Sequence, residues 1–191
     1  MDLKLVILGP SYVGKTSIIN RYCNGSFIED TLSTIGAGFF THSLQIDGTE
    51  ITLMLWDTAG EERFRSVAPS LLRGANGMIL VFDITKLASF EEIDIYMDMF
   101  LDTCSFDPNS FIPVLLLGNK CDLGKCDVPN EAIEKWMKKN NVGIHYLVSA
   151  KTGENIQQAI EEFIKQIVMP HHIEQPINIV INDNNNNKSC C

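Results

Sequence analysis

The 191-residue chain carries a formal net charge of −9, from 24 acidic and 15 basic side chains. This balance argues against sequence-independent binding to nucleic acid, which needs Lys and Arg to neutralise phosphates. Apolar runs stay well short of the roughly 20 residues that span a bilayer, and the N-terminus lacks a signal-peptide pattern. Together these two observations predict a protein that stays in the cytosol. The length predicts one compact domain with a short tail.

The first segment of the chain combines a buried strand, a glycine-containing loop and a helix. Residues 3–8 are almost unbroken in apolar character, which is typical of a strand covered on both faces. Gly9-Pro10-Ser11-Tyr12-Val13-Gly14-Lys15-Thr16 then matches the P-loop pattern, and Ile18, Ile19 and Tyr22 continue as a helix. In such a loop, backbone N–H groups and Lys15 surround phosphates, and the Thr16 hydroxyl can bind Mg²⁺. The segment predicts a nucleoside triphosphate site.

The following elements predict an open α/β sheet. Residues 41–46 and 51–56 flank Asp47-Gly48-Thr49, which favours an antiparallel hairpin. Apolar runs at 77–82, 111–117 and 144–148 indicate further buried strands. Because these strands alternate with helices, we expect a sheet that binds ligands beyond the carboxyl ends of its strands.

Three apolar stripes with helical spacing lie between and after these strands, and we expect them to be core. Ser89 and Glu92 form a capping-box signature, which predicts that the first helix begins there. The third helix should end before Pro170. The stripes are Phe90, Ile93, Met97, Phe100 and Leu101; Ala132, Ile133, Trp136 and Met137; and Ile156, Ile160, Phe163, Ile164 and Ile167.

The composition changes at Pro170. The segment from there is rich in Asn, including the run 184–187, and shows no helical or strand period after Ile181. This pattern predicts a folded domain over residues 1–169 and a flexible tail over residues 170–191. The tail ends in Cys190-Cys191.

Two segments that follow predicted strands resemble the guanine-binding motifs of the Ras superfamily of small GTPases. They are Asn119-Lys120-Cys121-Asp122, which resembles the Asn-Lys-x-Asp motif, and Ser149-Ala150-Lys151, which resembles the last guanine-contacting loop. The resemblance implies that the Asp122 carboxylate accepts hydrogen bonds from guanine N1–H and the N2 amino group, which adenine lacks. A site built to pair such groups discriminates strongly.

The resemblance covers residues 3–168 and implies a fold and a set of site residues. The fold is a single P-loop GTPase domain with a mostly parallel six-stranded sheet, one antiparallel edge strand and helices on both faces. GTP or GDP would contact Gly9, Ser11, Tyr12, Val13, Gly14, Lys15, Thr16, Ser17, Phe27, Thr34, Asp57, Gly60, Asn119, Lys120, Asp122, Ser149, Ala150 and Lys151. For Phe27 alone, a plain role in anchoring its loop fits nearly as well.

The resemblance also extends to two switch segments, Ser33-Thr34-Ile35-Gly36 and Trp56-Asp57-Thr58-Ala59-Gly60. It implies that Thr16, Thr34 and Asp57 hold Mg²⁺. The implied catalytic set is Lys15, Thr34, Gly60 and Glu61. Contacts with the γ-phosphate would order both segments, and hydrolysis would release them.

Within the superfamily, several segments resemble the Rab branch: residues 33–36, 56–64, 73–75 and 81–85, with Ser11 in the P-loop. Cys190-Cys191 resembles the double geranylgeranylation site of that branch. The resemblance implies a monomer that hydrolyses GTP slowly, regulates vesicle trafficking, and cycles between the cytoplasmic face of membranes and the cytosol. Its partners would be an exchange factor, a GTPase-activating protein, a GDP-dissociation inhibitor or prenyl escort protein, and effectors.

Three positions depart from the family pattern. Glu61 replaces the usual catalytic glutamine, and its charge would repel the γ-phosphate by roughly 4 kcal/mol at about 4 Å in a medium of dielectric constant near 20. We therefore expect slowed hydrolysis. Tyr12 stands where a small residue is common, and would crowd an incoming arginine only if it pointed inward. Leu71 replaces the third member of an effector-facing aromatic set formed with Phe39 and Trp56.

Two alternatives stay open at this point. The first is a GTP-loaded scaffold in which Glu61 makes hydrolysis negligible. The second is a P-loop nucleotide kinase, although the sequence shows no arginine-rich lid and the segment from Asn119 to Asp122 favours guanine recognition.

Overall fold

The computed structural model describes residues 1–29, 37–58, 68–104 and 113–169. These ranges contain strands and helices that alternate along the chain. The strands are β1 (Asp2–Leu8), β2 (Ala37–Ile46), β3 (Thr49–Thr58), β4 (Gly77–Asp83), β5 (Val114–Asn119) and β6 (Ile144–Val148). The helices are α1 (Lys15–Asn24), α2 (Ala68–Leu72), α3 (Leu87–Glu91), α4 (Ile93–Cys104), α5 (Asn130–Asn140) and α6 (Ile156–Val168).

The strands form one sheet in the order β2-β3-β1-β4-β5-β6. β1 lies parallel between β3 and β4, and β5 and β6 extend the parallel part. Only the edge strand β2 is antiparallel, paired with β3 through a two-residue turn. Asp47 and Gly48 both have positive φ there, 47° and 84°, as the tight turns preferred by hairpins require. The predicted fold class is confirmed.

Helices cover both faces of the sheet because side chains alternate along each strand. On β1, Leu3, Leu5 and Ile7 belong to one buried cluster that includes residues of α1 and α6. Val6 and Leu8 belong to the other cluster, formed with residues of α2, α3, α4 and α5. The three predicted apolar stripes supply much of both clusters. The P-loop and the other strand ends therefore rest on a sheet whose two faces are packed.

Two sequence predictions about element boundaries need correction. The capping box at Ser89 is wrong, because α3 begins at Leu87 and Ser89 lies inside it. The Ser89 hydroxyl instead accepts a hydrogen bond from the Asp83 N–H at 2.9 Å. The chain then turns at Glu92 before α4 begins. The strand predicted at 111–117 begins at Val114 and continues to Asn119; residues 111 and 112 lie outside the described ranges.

None of the helices in the described ranges combines the length and apolar character that a bilayer span requires.

His145 on β6 gives the fold an expected pH dependence. Its side chain is only 5% exposed and stacks on Phe82 with ring centroids 6.1 Å apart. Burial disfavours the imidazolium and lowers the pKa of His145 to about 4. The unfolded chain, with a pKa near 6.5, takes up the proton first, so this contribution is complete above pH 6.5. It is lost as the pH falls towards 4, by about 3 kcal/mol for a shift of this size.

Urea unfolding between pH 7 and pH 4.5 measures this loss. A His145→Phe variant is expected to lose less stability over this range than the wild type, whatever its stability at pH 7. Parallel curves for the two proteins would show that His145 does not carry the effect.

Candidate nucleotide-binding site

The P-loop begins where β1 ends, and two of its glycines are required by close approaches. A Cβ at Gly9 would lie 2.2 Å from the carbonyl oxygen of Val81. A Cβ at Gly14 would lie 2.3 Å from the Nδ2 atom of Asn119, and Gly14 has a φ of 98° that favours glycine. These glycines let the loop fold tightly against β4 and β5 before α1 begins.

Lys15 is held at the centre of this loop. Its Nζ donates hydrogen bonds to the carbonyl oxygens of Gly9 and Pro10, both at 2.8 Å. The side chain is only 6% exposed, and burial lowers the pKa of Lys15 to about 8, while the nearby Asp57 charge opposes the shift. A buried ammonium is costly unless it is paired. This environment therefore suits an anion of high charge.

Thr16 and Asp57 form the oxygen-rich part of the site. The Thr16 hydroxyl donates to Asp57 Oδ2 at 2.5 Å, and Asp57 is 1% exposed at the end of β3. Burial raises the pKa of Asp57, and the Thr16 hydrogen bond and the Lys15 charge oppose that shift. The other carboxylate oxygen, Oδ1, has no hydrogen-bond partner among the described residues.

This pair fits a magnesium ion. Mg²⁺ prefers oxygen ligands and usually binds through one or two protein groups, waters and substrate phosphates. A hydroxyl, a buried carboxylate and an unpaired carboxylate oxygen meet that requirement. The described ranges hold no group of three or more His, Cys, Asp or Glu residues arranged around a metal position.

Asn119 joins the P-loop to the loop after β6. Its Nδ2 donates to the Val13 carbonyl oxygen at 2.8 Å, and its Oδ1 accepts from the Ala150 N–H at 3.1 Å. The side chain is 2% exposed at the end of β5. Both functions of the amide are thus used to hold two loops together, and Asn119 acts chiefly as a brace for the site.

The residues after Asn119 are fixed by the same kind of bonds. Lys120 donates to the Tyr12 carbonyl oxygen at 2.8 Å and pairs with Asp83 at 2.6 Å. Asp122 Oδ1 accepts a hydrogen bond from the Ser149 hydroxyl at 2.6 Å. The carboxylate of Asp122 is therefore oriented by the opposite loop, as a base-reading group needs to be.

Beside these groups lies a cleft of about 360 Å³, within the range of roughly 300–1,000 Å³ common for small-ligand sites. It runs from the P-loop to the loops after β5 and β6. Its lining comprises Tyr12, Gly14, Ser17, Phe27, Ile28, Glu29, Asn119, Lys120, Asp122, Leu123, Ala150 and Lys151. Most of the described residues predicted for the nucleotide lie here or beside Lys15.

Other predicted residues have different positions. Phe27 lines the cleft and also packs against the core cluster that contains α1 and α6, a position that is compatible with either of its predicted roles. Val13 is buried in that cluster, and its carbonyl oxygen accepts the hydrogen bond from Asn119 Nδ2. Ser149 is fully buried behind Asp122. Thr34, Gly60, Glu61, Cys190 and Cys191 lie outside the described residues.

Two residues that shape the site were not predicted from the sequence. Arg21 on α1 donates to the carbonyl oxygens of Ala150 at 2.9 Å and Lys151 at 2.5 Å. Asp83 holds Lys120 and also accepts from the Thr85 hydroxyl at 2.7 Å. Arg21 gives no signal, since it lies in an ordinary helix. Asp83 could have been found as the one charged residue that ends a fully apolar strand.

Of the three positions that depart from the family pattern, the structure describes Tyr12 and Leu71. Tyr12 lines the open edge of the cleft, with 68% of its surface exposed. Phe39 and Trp56 pack with ring centroids 4.8 Å apart, and Lys4 lies 5.2 Å from the centre of the Trp56 ring. Leu71 is half-buried against the other core cluster. Phe39 and Trp56, the two aromatic residues that this chain keeps from the set, therefore pack against each other.

A P-loop, a buried lysine beside an oxygen-rich pair, and a braced base pocket at the strand ends together define a guanine-nucleotide-binding protein of the P-loop GTPase class. Comparisons with known proteins agree. A sequence model of the Ras family matches residues 4–169.

Related proteins narrow the assignment. The chain is 40% identical over 164 residues to the Ras-related protein Rab7 of Drosophila melanogaster, covering 85% of this chain and 79% of the relative. It is 34% identical over 197 residues to the human Ras-related protein Rab-7b, covering 100% and 97%. It is 37% identical over 199 residues to the Ypt/Rab-type GTPase Rab7 of Neurospora crassa, covering 98% and 96%. The chain belongs to the Ras family, as a Rab-type small GTPase.

Proposed function

We propose that this Rab GTPase is a magnesium-dependent switch that hydrolyses GTP slowly and is held by lipid on the cytoplasmic face of membranes. Its cycle regulates membrane trafficking. The observation that carries the proposal is the Thr16–Asp57 pair beside buried Lys15. The neighbouring P-loop residues Tyr12 and Gly14 line the cleft that reaches Asp122. The kinase alternative would require a second phosphoryl-acceptor site, for which the described residues offer no counterpart.

The site residues have distinct roles in this reaction. Lys15 offsets negative charge on the β- and γ-phosphates, and the P-loop N–H groups orient them. Thr16, Thr34 and Asp57 would hold Mg²⁺, which supplies further positive charge at the phosphates when bound. Glu61 and the main chain near Thr34 and Gly60 position the attacking water. Slow turnover follows from Glu61, whose charge opposes that of the γ-phosphate.

Magnesium dependence is tested by the rate of GDP release. Removing Mg²⁺ with EDTA is expected to speed release from the wild type at least ten-fold, which corresponds to about 1.4 kcal/mol. Asp57→Asn keeps the size of the side chain but weakens the ion's ligand, so the variant should release GDP rapidly in magnesium buffer and respond little to EDTA. Asp98→Asn, an exposed change on α4, should behave like the wild type. Equal release from the wild type with and without EDTA would contradict the proposal.

A regulated cycle also needs partners. We place an exchange factor, a GTPase-activating protein, effectors, and a GDP-dissociation inhibitor or prenyl escort protein around a monomer. Exposed Phe39, which packs against the half-buried Trp56, offers an apolar surface for such contacts. The scaffold alternative gains no support, because the chain belongs to a family of GTP hydrolases.

Lipid anchoring is proposed for Cys190 and Cys191. A single lipid chain binds membranes only marginally, and a second signal is needed for stable attachment. The segment 170–191 has one basic residue, Lys188, so electrostatic attraction to acidic lipids adds little. Two geranylgeranyl chains would supply the needed affinity without it.

Vesicle flotation with protein made in eukaryotic cells tests this anchor. The Cys190→Ser and Cys191→Ser single variants are each expected to bind phosphatidylcholine vesicles at least about ten-fold more weakly than the wild type, because one chain remains. The double variant should stay in the soluble fraction, and Lys188→Gln should bind normally. Flotation of the double variant with vesicles would exclude the anchor.

A further inference from the structure

Tyr12 has an unusual backbone conformation for its residue type. Its φ is 63°, in the left-handed region that glycine adopts freely and bulky residues rarely adopt. Such outliers persist where the surrounding structure enforces them, and they concentrate at functional sites. An aromatic side chain at this point of the P-loop therefore calls for a functional account, which the phosphate-binding role of the loop does not supply.

The position of Tyr12 indicates which part of a nucleotide its ring would meet. The Tyr12 carbonyl oxygen is held by Lys120 at 2.8 Å, and Lys120 is anchored in turn by Asp83. Tyr12 lines the same cleft as Gly14 at the phosphate end and Asp122 at the base end. In a guanine nucleotide, the ribose is the group that joins the base to the phosphates. The Tyr12 backbone is thus fixed beside the part of the cleft that the sugar would cross, and its exposed ring is attached there.

We propose that the Tyr12 ring covers the ribose of the bound nucleotide and slows nucleotide release. This inference rests on the guanine-nucleotide function and adds a residue that sets how long the nucleotide stays. An aromatic face packs on the C–H groups of a sugar and excludes water from them. Because the contact is with the sugar, it acts on GDP and GTP alike.

Displacement of radiolabelled GDP by excess unlabelled GDP in magnesium buffer tests the proposal. Tyr12→Phe keeps the ring and should release GDP within two-fold of the wild-type rate. Tyr12→Asn removes the ring but tolerates a left-handed backbone, and should release GDP about three- to ten-fold faster. Tyr12→Gly should match Tyr12→Asn. Leu87→Ala removes an exposed side chain that does not line the cleft, and should match the wild type.

Two further measurements separate a contact between the Tyr12 ring and the ribose from other causes of faster release. With GDP that carries a methylanthraniloyl group on its ribose, the ratio of the Tyr12→Asn rate to the wild-type rate should differ at least two-fold from the ratio for GDP. Tyr12→Asn should speed release of a non-hydrolysable GTP analogue by the same factor as release of GDP, because both nucleotides carry the same ribose.

Several results would overturn the proposal. Faster release from Tyr12→Gly alone would assign the effect to backbone strain. Equal ratios for the two nucleotides would exclude the sugar as the contact. A Tyr12→Asn variant that binds guanine nucleotide fully and releases it at the wild-type rate would exclude a contact between the Tyr12 ring and the ribose. That result would leave the proposed function standing. A wild-type protein that retains no guanine nucleotide after purification would overturn both.

Discussion

Replacing Asp122 with Asn is expected to weaken GDP binding on the order of 10⁴-fold and to convert the pocket to xanthine nucleotides. In the proposed site the Asp122 carboxylate accepts two hydrogen bonds from guanine, whereas an amide presents a donor to one of those groups. Xanthine carries an oxygen where guanine carries the N2 amino group, so it can accept from the new amide. The Ser149 hydroxyl, 2.6 Å from Asp122, can still donate to an amide oxygen and hold the side chain in place. Titrations with GDP and xanthosine diphosphate measure both affinities.

Asp127→Asn is the matched control, because Asp127 pairs with Lys125 on the surface and does not line the cleft. It should bind GDP like the wild type. Unchanged GDP affinity of Asp122→Asn would remove Asp122 from base recognition. Equal weakening for both nucleotides would show that the loop had lost its shape, and that Asp122 supports the pocket without reading the base.

Replacing Glu61 with Gln should raise the single-turnover rate of GTP hydrolysis by about ten- to a hundred-fold. The upper limit set by charge repulsion is about 4 kcal/mol at an effective dielectric constant near 20, and screening by solvent and ions lowers it. A neutral glutamine removes this repulsion and can also orient the attacking water. Rapid mixing of GTP-loaded protein with Mg²⁺, followed by phosphate detection, gives the rate.

Two variants complete this experiment. Glu62→Gln removes one negative charge from the neighbouring position and should leave the rate unchanged. Glu61→Ala removes the charge without restoring a water-orienting group, so its rate should lie between those of the wild type and Glu61→Gln. A rate that does not change in Glu61→Gln would show that the carboxylate does not limit hydrolysis.

Much of the site could be predicted because its chemistry requires particular residue types at short spacings. The P-loop and the segment from Asn119 to Asp122 are continuous stretches in which each position has one physical task. Arg21 could not be predicted in the same way. It acts on Ala150, 129 positions away in the sequence, and only the packing of α1 beside α6 brings the two together.

The fold could be predicted from strand and helix periodicity, whereas a local break could not. The apolar stripe from Phe90 to Phe100 continues through the turn at Glu92, since both α3 and α4 bury residues in the same cluster. The spacing of the apolar residues is therefore the same whether this segment forms one helix or two. The Ser89 hydroxyl accepts a hydrogen bond from the backbone N–H of Asp83 at the end of β4. Ser89 therefore stabilises the end of the strand and does not cap a helix.

The brace formed by Asn119 and Arg21 has a consequence for how the protein is loaded. Both side chains bond to other protein groups, so the walls around the base are assembled by the protein itself. GDP and GTP share the base and the sugar, and these walls cannot tell them apart. After a nucleotide leaves, whichever of the two is more abundant in the surrounding solution fills the pocket first. The balance of the cellular guanine-nucleotide pool, more than a difference in fit, then sets the direction of exchange.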